Sequence, residues 1–205
     1  MGYYPIAIDI AGRKCLIVGG GAVALRKAKS LLDAGARVVV VAPDVDERLA
    51  SLDGVEVLTR TYRRGDVSGC ALVFAATNDR AVNASVAEDA RSCGAPVNVV
   101  DDPELCSFIA PAVVKRGDLL IAVTTSGKSP ALSRRIRMEI EERYGPEYAA
   151  LVEMLGELRD IAKEKYSSEK DRRRVLMRVL DSDVLDLLRQ GKTVEARRRA
   201  LECLI

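Results

Sequence analysis

Two rhythms of apolar residues run along this chain. In the first half, short β-branched runs at 15–18, 37–41, 55–58, 71–75 and 97–100 are spaced like buried strands. Between them lie stretches of helical period. Residues 23–34 put Ala24, Ala28, Leu31 and Leu32 on one face before Gly35, and residues 81–93 form a second helix before Gly94. Short β-branched strands that alternate with helices predict an α/β fold: a Rossmann-like, mostly parallel sheet with helices on its faces.

The rhythm changes later. Residues 119–124 read as one more strand, and Ser129-Pro130 opens a helix to about 143, with serine suited to the cap and proline to the first helical position. Beyond Gly145-Pro146, Leu151, Val152, Leu155, Leu158 and Ile161 fit one helical face, and shorter helices follow at 173–180, 184–190 and 194–204. Glycine follows the same division: 12 of the 15 lie in residues 1–130. The expected organisation is a glycine-punctuated α/β part followed by a small unit of charged helices.

Charge and composition narrow the chemistry. The 32 Lys+Arg against 30 Asp+Glu leave a net charge of +2, too balanced for a nucleic-acid coat. Histidine is absent, which removes His-based triads, His-ligated zinc and imidazole proton shuttles. Cys15, Cys70, Cys93, Cys106 and Cys203 are scattered without a CxxC pair and read as reduced thiols. No signal-peptide pattern or membrane-length apolar run appears, so a cytoplasmic protein with no membrane partner is expected.

Gly19, Gly21 and Ala24 stand in the GxGxxG/A pattern between a strand and a helix, where a dinucleotide pyrophosphate would meet the amides of Ala22 and Val23. The alternative is a tight turn with no ligand. At the end of the second strand Pro43-Asp44 supplies the nearest carboxylate for a ribose, favouring NAD over NADP, although Arg48 nearby weakens that preference and a plain turn is the competing role. Thr77 and Asn78 suit either the ribose and nicotinamide side or the cap of the next helix.

Asn98-Val-Val-Asp101-Asp102-Pro103 ends another strand in carboxylates. Adjacent aspartates beside proline often make a simple turn, yet without histidine Asp101 is the leading general acid/base. Lys128, Ser129 and Arg134 combine a helix start with cations suited to carboxylates or phosphates; the competing role is a solvated face pairing with Glu139 and Glu141.

In order, the segments YYPI, CLIVGGGAVALRKAKSLLDAGARVVVVAPD, FAATND, VNVVDDPELCSFIAPAVV and TTSGKSPALSRRIR resemble the precorrin-2 dehydrogenase family, whose members also form the N-terminal module of siroheme synthases. The resemblance covers essentially the whole chain and is least diagnostic from about Tyr148. It implies a Rossmann domain at 1–113, a dimerisation region at 114–146 and a helical domain at 147–205, in a homodimer that oxidises precorrin-2 to sirohydrochlorin with NAD as hydride acceptor. It assigns NAD contacts to Ala22, Val23, Pro43 and Asp44, the essential aspartate to Asp101 and the SGxSP serine to Ser129, with Asn98, Ser107 and Lys128 near the tetrapyrrole. Some members also insert ferrous iron into sirohydrochlorin, for which the ion is a transient partner and no resident metal is implied. A fused methyltransferase is not expected in this length. The competing reading from another class is a dimeric NAD-sensing regulatory module without catalysis; another NAD-dependent dehydrogenase of a small acidic substrate is the enzyme alternative.

Overall fold

The computed structural model describes residues 2–205. Five strands, β1 (Lys14–Val18), β2 (Arg37–Ala42), β3 (Val55–Thr59), β4 (Leu72–Ala75) and β5 (Val97–Val99), form one parallel sheet in the order β3-β2-β1-β4-β5. The order reverses at β1, where an open α/β sheet leaves a crevice at its carboxyl edge. The pleat sorts the side chains: Cys15, Ile17, Val38, Val40 and Phe74 join one core cluster, and Leu16, Val18, Val39, Val41, Val73 and Ala75 join the other. Burial on both faces is why these strands read as unbroken apolar runs.

Helix α1 (Ala22–Leu32) packs Ala24, Leu25, Ala28 and Leu31 into the first cluster, while α3 (Arg80–Ser92) packs Val86, Ala87 and Ala90 into the second. Gly35 and Gly94 follow them at φ 75° and 69°, left-handed positions that favour glycine. A short helix that the sequence pattern did not reveal, α2 (Glu47–Ala50), is capped by Asp46, whose carboxylate accepts from the Arg48 amide at 2.9 Å.

The contacts divide the chain into two units, the first ending at Ala110 and the second starting at Pro111. Segments 114–146 and 147–205 fall in the same unit. It opens with an antiparallel hairpin of β6 (Ala112–Arg116) and β7 (Leu119–Val123), whose first strand was also not anticipated. Helix α4 (Pro130–Arg143) begins as expected, with Ser129 Oγ accepting from the Leu132 amide at 3.3 Å.

Helices α5 (Glu147–Lys165), α6 (Glu169–Leu180), α7 (Val184–Arg189) and α8 (Thr193–Glu202) surround a third core cluster. On α5 the buried stripe is Leu151, Met154, Leu158 and Ala162, rotated from the face expected to include Ile161, which is exposed. Steps of about three to four residues accommodate both stripes, and packing against Val175, Val179 and Leu188 selects the first.

Candidate functional site

The glycine turn is shaped by two close backbone approaches. Gly19 has φ 125°, and a Cβ there would overlap the Ala76 carbonyl beyond β4. Gly20, an unspecified position in the motif, is equally constrained, because its Cβ would overlap the Asp44 carbonyl; its own carbonyl accepts from the Asp46 amide at 2.9 Å. Gly21 faces open space, with nothing within 4 Å of its Cβ position. No side chain caps α1, and the first intrahelical bond is Leu25 N–H to Gly21 O, so the amides of Ala22 and Val23 stand free at a positive helix end. An uncapped helix start behind an unobstructed glycine fits a pyrophosphate.

Pro43 and Asp44 are exposed beside this turn, at the end of β2. Arg48 is held by Asp46 through two bonds, of 3.0 and 2.7 Å, and this pairing keeps the Asp46 carboxyl down at about 2. The cation that weakened the case for NAD therefore has a carboxylate partner, while Asp44 remains available.

A cleft of about 850 Å³ opens at the carboxyl edge of the sheet, lined by Val23, Thr77, Asn78, Arg80, Asn83, Val99, Asp101, Asp102 and neighbours. It unites Val23, Thr77, Asn78 and Asp101 among the residues expected from sequence. The cap of α3 falls to Asp79, which accepts from the amides of Ala81 and Val82; neither Thr77 nor Asn78 takes that role. Thr77 is instead held by buried Asn83, whose Oδ1 accepts from the Thr77 amide and hydroxyl at 3.2 and 2.8 Å. Asn83 and Arg80 are site residues that the sequence reading missed; both stand in the first turn of α3, where a side chain that follows a motif is close to it in space.

The adjacent aspartates divide their work. Asp102 faces Arg80 at 3.5 Å, and its amide bonds to Val99 O at 3.4 Å, closing a turn. Asp101 sits inside that turn at φ 61°, a left-handed conformation that aspartate tolerates better than most residues. Its carboxylate is exposed in the cleft with no hydrogen bond or ion pair among the described residues. Such a group can accept a proton or orient a ligand.

Asn98 and Ser107 are both bonded locally. Asn98 Nδ2 donates to Phe108 O at 3.1 Å, and Ser107 Oγ accepts from the Val97 amide at 2.8 Å. Lys128, Ser129 and Arg134 belong to the second unit. There Ser126 and Gly127 have φ 55° and 81° and the Lys128 amide bonds to Thr125 O at 3.0 Å, a hairpin-type turn that exposes Lys128 ahead of α4. Arg135 and Arg137 pair with Glu139 and Glu141, as a solvated face would, whereas Arg134 has no acidic partner among the described residues.

Three family models match the chain. Residues 6–112 match the family described as "Putative NAD(P)-binding", residues 116–143 the "Sirohaem biosynthesis protein central" region and residues 147–204 the "Sirohaem synthase dimerisation region". The chain belongs to the siroheme synthase and precorrin-2 dehydrogenase family. Within this family the dimerisation description falls on 147–204, while the sequence reading assigned dimerisation to 114–146.

The siroheme synthase of Stutzerimonas stutzeri (strain A1501) is 41% identical over 207 residues, covering 100% of this chain and 44% of the relative. That of Methylococcus capsulatus (strain Bath) is 41% identical over 205 residues, covering 98% and 43%. The chain thus spans less than half the length of the curated relatives it matches. Among solved structures, "SirC, precorrin-2 dehydrogenase" superposes with a TM-score of 0.78 at 28% identity, covering 98% of this chain and 100% of that one. No helix among the described residues is long and apolar enough to cross a membrane.

Proposed function

We propose that this chain is an NAD-dependent precorrin-2 dehydrogenase acting as a homodimer in siroheme synthesis. The observation that carries the reading is the joining of an uncapped glycine-turn helix start and an unpaired, left-handed Asp101 at one cleft. NAD, when bound, supplies the hydride acceptor. Ala22 and Val23 would hold its pyrophosphate through their amides, and Asp44 would accept from a ribose hydroxyl, a contact that a 2′-phosphate would repel. Thr77 and Asn78 would line the nicotinamide side.

Removing hydride from the precorrin-2 macrocycle also requires proton loss. Asp101 would accept that proton at a carboxylate oxygen, or orient the macrocycle so that its own nitrogens release it. Asn98, Ser107, Lys128, Ser129 and Arg134 are proposed for the acidic side arms of the tetrapyrrole, with Lys128 and Arg134 supplying charge. The division into 1–113, 114–146 and 147–205 stands as part of the same proposal.

Purified chain mixed with NAD and enzymatically generated precorrin-2 tests the reading, with sirohydrochlorin and NADH expected together. NAD binding without turnover would favour the sensing module instead. In a chelation step a ferrous ion would enter as substrate. Adding ferrous ion to preformed sirohydrochlorin separates the two activities, with siroheme as the mark of a chelatase.

A further inference from the structure

Strand β5 ends the sheet order, so one of its edges has no ladder partner. Amides on that edge are met by side chains from the segment that follows. Val97 N–H donates to Ser107 Oγ at 2.8 Å, and Val99 N–H donates to Cys106 Sγ at 3.1 Å. The Ser107 amide returns a bond to Val97 O at 2.8 Å. Residues 106 and 107 thus replace a sixth strand with a side-chain staple, meeting donors that would otherwise go unpaired.

The Cys106 end of the staple does more than satisfy an edge. Its thiol lies 3.2 Å from Val99 O and 3.3 Å from Asp102 O, either of which it can donate to, and Asn98 Nδ2 donates to its sulfur at 3.6 Å. Val99 and Asp102 are the first and last residues of the turn carrying Asp101, whose own closing bond is long at 3.4 Å. Among the described residues, no other side chain bonds to both ends. Burial pushes the Cys106 thiol up, which keeps it a neutral donor.

We infer that Cys106 is a positioning residue for Asp101: its thiol ties Val99 to Asp102 and thereby fixes the left-handed turn that presents the carboxylate to the cleft. The inference rests on reading Asp101 as the working carboxylate. Serine would preserve the donor and acceptor at shorter reach; alanine and valine would remove both.

The test compares Cys106→Ala, Cys106→Val, Cys106→Ser and the control Cys93→Ala by hydrogen exchange of segment 97–103 and by steady-state kinetics with precorrin-2 and NAD. Exchange in Cys106→Ala is expected to quicken about tenfold, the equivalent of one ordinary hydrogen bond. Its kcat should fall about five- to tenfold with KM and NAD affinity within about twofold, a loss confined to the reacting complex. Cys106→Val should match that fall, and so serves if the alanine variant does not fold. Cys106→Ser should restore kcat to within about twofold of the parent, and Cys93→Ala should behave as the parent.

Undiminished kcat in both Cys106→Ala and Cys106→Val overturns the inference, as does a serine variant no better than valine. Asp101→Ala, measured alongside, separates the two claims. If it turns over normally, the role given to Asp101 fails; if it is inactive while the Cys106 variants are not, only the positioning role fails.

Discussion

The two units solve the burial problem differently. The first sandwiches a five-stranded sheet between α1 and α3, with both faces of its central strands buried. The second leaves its hairpin half open: Val113 on β6 and Leu120 on β7 are 43% and 57% exposed, and Leu132 and Met138 on α4 are each 48% exposed. A parallel sheet with both faces covered needs no further cover, whereas a lone two-stranded hairpin is marginal in water. The apolar surface missing from the interior of the second unit is consistent with the homodimer proposed for the chain.

Variants can break this contrast at several strengths. The largest expected effect is Asp101→Ala, which should lower turnover by about 10²- to 10⁴-fold while NAD binding, followed by cofactor fluorescence, persists. Next is Leu158→Ala in the third core cluster, expected to cost about 2–5 kcal/mol, read by denaturant unfolding of the whole chain. Gly20→Ala should cost about 1–3 kcal/mol and weaken NAD binding, since its Cβ would push the Asp44 backbone away. If it binds NAD normally, the close packing of the glycine turn has been given too much weight.

A pH effect separates the units more gently. Arg60 holds Asp66 through bonds of 2.8 and 2.7 Å and lowers its carboxyl below the ordinary range. With the folded value depressed, this stabilisation is fully present above the unfolded value, near about 4, and is lost as pH falls through the folded value. Asp66→Asn should therefore flatten the acid limb of stability, measured as melting temperature against pH. The smallest expected effect is Leu120→Asp, which should weaken self-association about tenfold in sedimentation experiments, about what one lost buried contact is worth.

What the sequence disclosed follows from how local each feature is. Strands β1, β2 and β4 could be read because burial on both faces makes them continuous apolar runs, whereas the edge strands β3 and β5 are short β-branched segments interrupted by Glu56 and Asn98. β6 was hidden, because Ala112-Val-Val-Lys-Arg116 becomes a strand only by pairing with β7, Val113 opposite Ala122. The glycine turn was visible as a motif, but Gly20 matters through Asp44, far along the chain. Asp101 was legible as a carboxylate after a strand, while its left-handed backbone, the Arg80 partner of Asp102 and the reach of Cys106 back to Val99 depend on chain reversals that no local pattern records.

The central claim is tested most directly by following NADH and sirohydrochlorin together in one reaction of the purified chain with NAD and precorrin-2. The account predicts equal molar formation of both products, slowed about 10²- to 10⁴-fold by Asp101→Ala. Tight NAD binding with neither product formed would contradict it.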